Sequence, residues 1–188
     1  MNSPTLHQTS FDLSFISDRF ASWRLILSEL PGCQRTGYSR NLDQDLDEIH
    51  KAGCTDVLIL LERSELRRYR VELLQDAYSS LTISSQLYEI VDGFPPSIAQ
   101  TFTILQSLVS LFHNDKSVLI HCQGGLGRTG TVVACLIMLL SDGSIAPDRA
   151  IEIVRSNRGK RAIQTASQFK FLHNFPSLLP ELRQQVDI

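Results

Sequence analysis

The stretch Val118-Leu119-Ile120-His121-Cys122-Gln123-Gly124-Gly125-Leu126-Gly127-Arg128-Thr129-Gly130 constrains this chain more than any other. A short apolar run ends at His121-Cys122, a glycine-rich loop follows, and an apolar helical pattern begins at Thr131-Val132-Val133, so the order is strand, loop, helix. Five residues separate Cys122 from Arg128, and three of them are glycine. Consecutive backbone N–H groups in such a loop can turn inward around an anion at a helix N-terminus. Gln123, Gly124, Gly125, Leu126 and Gly127 therefore form a candidate phosphate cradle.

The flanking residue types suit covalent chemistry at phosphorus. A thiol at the base of a ring of N–H dipoles, beside a helix N-terminus and a guanidinium, falls from about 8.5 to roughly 3.5–7.5. Cys122 is then a thiolate at neutral pH. Arg128 offers a planar fork of donors to two phosphoryl oxygens at once, a geometry lysine lacks. The Thr129 hydroxyl is placed to reach the sulfur and stabilise it as a leaving group. His121, at the strand end, suits hydrogen bonds to the loop backbone better than proton transfer. Two other anion loops fit less well. Gly125 to Gly130 satisfies G-x-G-x-x-G, but the acid expected at the end of a following strand is missing, since Ser141 to Pro147 leads into another helical pattern. A nucleotide P-loop fails because Cys122 stands where its first glycine belongs and Arg128 where its lysine belongs.

The pattern His121-Cys122-x5-Arg128-Thr129 resembles the signature of the cysteine-dependent protein tyrosine and dual-specificity phosphatases. Further blocks in the same order are Leu30 to Cys33, Glu65 to Val71, Asp92-Gly93, Leu139 to Asp142 and Ala162 to Thr165. These resemble the kinase-associated branch of the dual-specificity type and span about residues 25 to 180. The resemblance implies an α/β fold of the compact dual-specificity, protein tyrosine phosphatase-like kind, with a central, mostly parallel sheet flanked by helices. It also implies hydrolysis of phosphate from protein tyrosine, or serine and threonine, without a metal or other cofactor. By the same resemblance Cys122 is the nucleophile, Arg128 the phosphate binder, Asp92 the general acid and Thr129 the aid to thiolate departure. Two departures stand out. Gly93-Phe94-Pro95-Pro96 follows Asp92 in place of a smaller, glycine-rich continuation, and Thr129-Gly130 replaces a serine and a cysteine. The resemblance does not carry over a particular kinase partner.

Length and charge narrow the remaining classes. A chain of 188 residues suits one domain with a full core. We assign residues 21–183 to a monomeric phosphatase domain and 1–20 to an N-terminal extension that is loose from Met1 to about Ser10. The net charge of −2 leaves no electrostatic footprint for nucleic acid or an anionic membrane. Four cysteines, at 33, 54, 122 and 135, show no paired or metal-type spacing, and the first residues lack the pattern of a secretion signal. Reduced thiols and a cytoplasmic location are expected. The longest apolar run, Val132 to Leu140, is too short to span a bilayer.

Along the chain, Leu25-Ile26-Leu27 reads as a strand that ends at a Pro31-Gly32 turn. Asn41 or Asp43 caps a helix carrying Leu42, Leu46 and Ile49, and Val57 to Leu61 is a strand buried on both faces. Strand, helix, strand begins an α/β domain. Arg63, Arg67, Arg68 and Arg70 crowd the next segment, either as a solvated helix face or as a surface for acidic or phosphorylated peptide. One or two strands follow between Leu81 and Ile90, the second near Gln86 to Ile90. Ile98, Phe102, Leu105, Val109 and Phe112 mark the buried face of a helix over about Ser97 to His113. Pro147 opens another helix, the basic turn Arg158-Gly159-Lys160-Arg161 reads as either solvated or lining a substrate groove, and Thr165-Ala166-Ser167-Gln168 is a capping box.

Asp92 thus lies in a loop between strand and helix, thirty residues before Cys122. Asp-Gly is a common turn pair, yet a leaving oxygen needs a proton that neither a thiolate nor a guanidinium can give. Gln164, just outside a helix start, is either a plain loop residue or an amide that positions the attacking water. The reading is a phosphoprotein phosphatase for phosphotyrosine, with phosphoserine and phosphothreonine open, working through a phosphocysteine. Its expected partner is a phosphorylated protein, a kinase being one such. The alternatives are a phosphatase for a non-protein substrate (phosphoinositide or RNA 5′ end) and a module that binds phosphopeptide without turnover. Cys135 reads as core, and Cys33 or Cys54 as structural unless one lies near enough to trap an oxidised Cys122 as a disulfide.

Overall fold

The apolar runs around Leu25, Val57 and Val118 become adjacent strands at the middle of one sheet. The computed structural model describes residues 5–13 and 15–186. In chain order the elements are β1 (Gln8–Phe11), β2 (Arg24–Ser28), β3 (Gln34–Arg35), β4 (Tyr38–Ser39), α1 (Leu42–Lys51), β5 (Asp56–Ile59), α2 (Arg63–Arg68) and α3 (Leu74–Ser80). They continue with β6 (Ser84–Leu87), α4 (Ile98–His113), β7 (Ser117–His121), α5 (Gly127–Leu140), α6 (Pro147–Arg158), α7 (Ala166–Asn174) and α8 (Leu179–Arg183). The main sheet has the order β1-β2-β7-β5-β6. Strands β2, β7, β5 and β6 run parallel and β1 is antiparallel to β2, while β3 and β4 form a separate hairpin.

Strand residues alternate between two cores, as a sheet covered on both faces requires. Leu25, Leu27, Leu58, Leu60, Val118 and Ile120 face one core with α4, α5 and α6. Ile26, Val57, Ile59, Leu61 and Leu119 face the other, with Leu46 and Ile49 of α1, Leu66 of α2 and Leu74 and Tyr78 of α3. Helix α5 packs against α4, α6 and α7, and every one of its residues is buried. That explains an apolar pattern with no polar face.

Helix starts follow the expected chemistry. Asn41 Oδ1 accepts from the Gln44 N–H at 2.9 Å. Ser97 and Gln100 cap α4 reciprocally, at 3.2 and 3.0 Å, and Thr165 with Gln168 does the same for α7. Three expectations need correction. Leu81 to Ile90 holds one strand, β6, and the segment after it is irregular because Glu89 O and Ile90 O accept side-chain donors, Gln100 Nε2 and Arg128 Nη1, in place of a ladder. Ile98 is 51% exposed, since the first turn of α4 overhangs the core that Phe102, Leu105, Val109 and Phe112 fill. Arg158 is buried at 3% exposure, for reasons given below. The N-terminal stretch joins the sheet from Gln8, where its polar Gln8-Thr9-Ser10 shows no strand alternation; residues 1–4 of that stretch lie outside the described residues.

The loops that leave β2, β5, β6 and β7 all emerge at the carboxyl edge of the parallel strands, where open α/β sheets place their ligands. Asp92, Glu65 and the Cys122 loop are gathered there.

Candidate active site

Strand β7 ends at His121, and Cys122 opens the loop with only 3% of its surface exposed. Burial alone raises a thiol, and it raises the other three: Cys33, Cys54 to about 11, and Cys135. At Cys122 burial is outweighed. The Arg128 guanidinium, the Thr129 hydroxyl and the N–H groups of Thr129 and Leu126 all stabilise the sulfur anion, and its pKa lies below the ordinary thiol value. The Thr129 hydroxyl is buried without a hydrogen bond of good geometry, yet it is close enough to the sulfur to favour the thiolate.

The loop turns its Leu126 N–H toward the sulfur, and its carbonyls are held from outside. Gln123 O accepts from Leu30 N at 3.0 Å. Gly125 O accepts from Arg158 Nε at 3.0 Å, and Gly124 O from Arg158 Nη2 at 3.4 Å. The same guanidinium reaches His7 O at 2.9 Å and the Thr9 hydroxyl at 3.1 Å. The basic turn after α6 thus starts with an internal brace, while Lys160 and Arg161 stay exposed. Gly125 sits at φ +63, and a Cβ there would come within 2.1 Å of Ser28 O. Glycine is required for that approach. At the strand end His121 Nδ1 is 3.4 Å from Cys122 O. A carbonyl can only accept, so Nδ1 carries the proton and Nε2 accepts from the Tyr78 hydroxyl at 3.2 Å. Burial lowers the His121 pKa to about 4, which suits a neutral orienting residue as expected.

Arg128, on the first turn of α5, is 2% exposed. Its fork does not point freely at the cradle. Nη1 donates to Glu65 Oε2 at 2.6 Å and to Ile90 O at 3.0 Å, and Nη2 donates to Glu65 Oε1 at 3.0 Å. Nη2 also pairs with Asp92 Oδ1 at 3.0 Å, and that carboxylate is 76% exposed. Glu65 is itself fixed by the Glu62 N–H at 3.0 Å, the first turn of α2. The Asp92 loop is anchored one residue on. Gly93 O accepts from the Thr165 hydroxyl at 2.7 Å and the Ser167 hydroxyl at 3.1 Å, both at the start of α7.

Gln164 stands over the far side of the loop: a Cβ on Gly127 would lie 2.8 Å from its Oε1 and 2.9 Å from Gln168 Nε2. Gln168 Oε1 in turn accepts from the Gln164 N–H at 2.8 Å. The structure therefore brings Cys122, Arg128, Asp92, Thr129 and the loop residues 123–127 into one site, with Gln164 at its rim. Sequence reasoning missed Glu65, Arg158, Tyr78 and Gln168. Glu65 had one signal, a lone carboxylate within a run of arginines; Arg158 was among the residues noted, but read as solvated or lining a groove.

A parallel sheet that delivers a cysteine, a glycine cradle and an arginine to its carboxyl edge is the architecture of the protein tyrosine and dual-specificity phosphatases. This chain belongs to the cyclin-dependent kinase inhibitor 3 family, whose family model matches residues 5–151. Cyclin-dependent kinase inhibitor 3 of Rattus norvegicus is 42% identical over 149 residues, which cover 79% of this chain and 70% of that protein. A crystal structure of kinase-associated phosphatase, with serine in place of its catalytic-site cysteine, aligns with a TM-score of 0.88 at 37% identity, covering 94% of this chain and 97% of that one. Tk-PTP in its active form aligns with a TM-score of 0.67 at 27% identity, over 82% of this chain and 92% of that one. The protein is a phosphatase of the protein-tyrosine and dual-specificity class. No helix among the described residues is long and apolar enough to cross a membrane.

Proposed function

We propose that this protein dephosphorylates phosphoproteins in two steps at Cys122. Its relatives' names tie them to kinases, and we extend that association to a phosphorylated kinase as one substrate. The observation that carries the reading is the contrast among buried thiols, in which Cys122 alone is lowered, by Arg128 and the loop.

In the first step the Cys122 thiolate attacks phosphorus. An S–P bond forms, the P–O bond to the substrate side chain breaks, and Asp92 delivers a proton to the departing oxygen. Amides of residues 123–127 hold the equatorial oxygens. Substrate phosphate takes the place of the Asp92 carboxylate on Arg128 Nη2, while Glu65 keeps the guanidinium in plane; the displaced carboxylate, which is 76% exposed, takes a proton from solvent and carries it to the leaving group. In the second step a water positioned by Gln164 attacks phosphorus and gives a proton to Asp92, and the S–P bond breaks. Thr129 stabilises the thiolate that leaves, and inorganic phosphate is released.

Hydrolysis of an aryl phosphate by the wild type and two variants tests the scheme. Cys122→Ser should lose about 10³-fold or more. Asp92→Asn should lose about 10²-fold on esters with poor leaving groups and much less on activated aryl esters. Turnover by the serine variant equal to wild type would rule the scheme out.

A further inference from the structure

Arg68 and Arg70, at and just beyond the end of α2, and the basic turn after α6 are distant in sequence, yet two grooves that share Arg35 join them. Beside the phosphate loop lies a groove of about 630 Å³, with Gln123 and Gly124 on the loop side and Arg35, Lys160 and Arg161 supplying exposed cations. A second groove, of about 400 Å³, is lined by Gln34, Arg35, Thr36, Arg68 and Arg70. Arg35 belongs to both, so they form one basic surface leading away from the cradle.

Positive charge there is held in place and uncompensated. The Arg35 guanidinium lies 4.8 Å over the Tyr38 ring. Gln34 N donates to Tyr69 O at 3.0 Å, which ties the β3–β4 hairpin to the chain between Arg68 and Arg70. Among the described residues none of Arg35, Arg68, Arg70, Lys160 and Arg161 forms an ion pair with a carboxylate. Glu29, the acid on the first groove, is already engaged, with Arg40 Nη1 at 3.2 Å and the Tyr38 hydroxyl at 2.6 Å.

We propose that this surface receives acidic or phosphorylated side chains flanking the phosphoresidue of a protein substrate, so that the enzyme selects phosphosites within acidic segments. The inference rests on the phosphoprotein reading above. Cations at two stations joined by a hairpin match single negative charges spaced along an extended chain; a compact polyphosphate headgroup would need them converging on the cradle, whose residues 123–127 carry none.

The test uses the full chain, an aryl phosphate, and one phosphopeptide made with Asp and Glu or with Asn and Gln at the flanking positions. At low salt kcat/KM should favour the acidic peptide by about 10-fold or more, since each exposed charge pair contributes only a few-fold. Roughly 0.5 M NaCl should largely remove the preference. Arg35→Ala combined with Lys160→Ala and Arg161→Ala, and separately Arg68→Ala with Arg70→Asn, should reduce the preference while leaving aryl phosphate turnover unchanged. No preference in the wild type, a preference in both variants equal to that of the wild type, or faster hydrolysis of a short-chain phosphoinositide than of the acidic peptide would each overturn the proposal. Failure of the wild type to hydrolyse the aryl phosphate would instead strike the catalytic reading, so the two failures are separable.

Discussion

Cys122 and Cys135 are both fully buried, and burial alone drives Cys135 upward. The difference at Cys122 is made by neighbours fixed at short sequence range, Leu126, Arg128 and Thr129. That is why the nucleophile was legible: strand end, loop length and arginine all lie within one stretch. Glu65 was not, because its partner Arg128 is sixty-three positions away and no local pattern distinguishes a carboxylate that will meet a guanidinium across a sheet from one that will meet water. The loop glycines divide the same way. Gly125 and Gly37 both hold positive φ, but a Cβ on Gly37 meets nothing within 4 Å whereas one on Gly125 strikes the Ser28 carbonyl at 2.1 Å. Gly37→Ala should therefore cost about 1 kcal/mol of left-handed strain with activity intact. Gly125→Ala should cost more in thermal unfolding and lower kcat/KM at least about 10-fold, because a backbone carbonyl must move out of register with the cradle. Equal activity in the two alanine variants would mean that the approach of Gly125 to Ser28 does not shape the loop.

Elements that close on themselves were readable; elements that depend on a partner were not. Helices α1, α4 and α7 have caps within the chain's own local sequence, and β5 and β7 are apolar runs that any two-faced sheet must bury. By contrast β1 is polar along most of its length and exists through its ladder with β2, while β3 and β4 are two residues each. Helix α6 shows the same limit at its end. Its internal face was predictable from Ile151 and Val154, but the last residue turns inward because Gly124, Gly125 and His7 offer carbonyls that need a donor. Arg158→Met keeps the stem and removes the donors. It should destabilise the fold by about 1–3 kcal/mol, as expected when buried carbonyls lose their partner. It should also raise KM for an aryl phosphate, since the Gly124 and Gly125 carbonyls then lose the donor that holds them away from the cradle. A variant with wild-type KM would show that the loop keeps its shape without α6.

The order of the sheet could not be read along the chain, because β7 inserts between β2 and β5, strands that precede it by some ninety and sixty residues. That insertion puts His121 at the centre of the molecule, against Tyr78 from the opposite layer. The whole fold must therefore accept a neutral imidazole. Its pKa is lowered from 6.5 to about 4 by burial, with the Arg128 charge acting in the same direction and the bond to Cys122 O opposing. As pH falls below 6.5 the unfolded chain takes up this proton and the folded chain does not, so stability is lost progressively down to about pH 4 and is full above 6.5. The loss can reach about 3 kcal/mol, since each pH unit between 6.5 and about 4 costs about 1.4 kcal/mol. Denaturant unfolding at several pH values between 7 and 4.5 should show this slope in the wild type. His121→Asn, which can still donate to Cys122 O but does not titrate, should be less stable at pH 7 and should lose that part of the slope. An unchanged difference between wild type and variant across the whole range would mean that His121 takes up its proton inside the fold as readily as in the unfolded chain, and the Tyr78 hydroxyl could not then keep donating to Nε2 below pH 6.5.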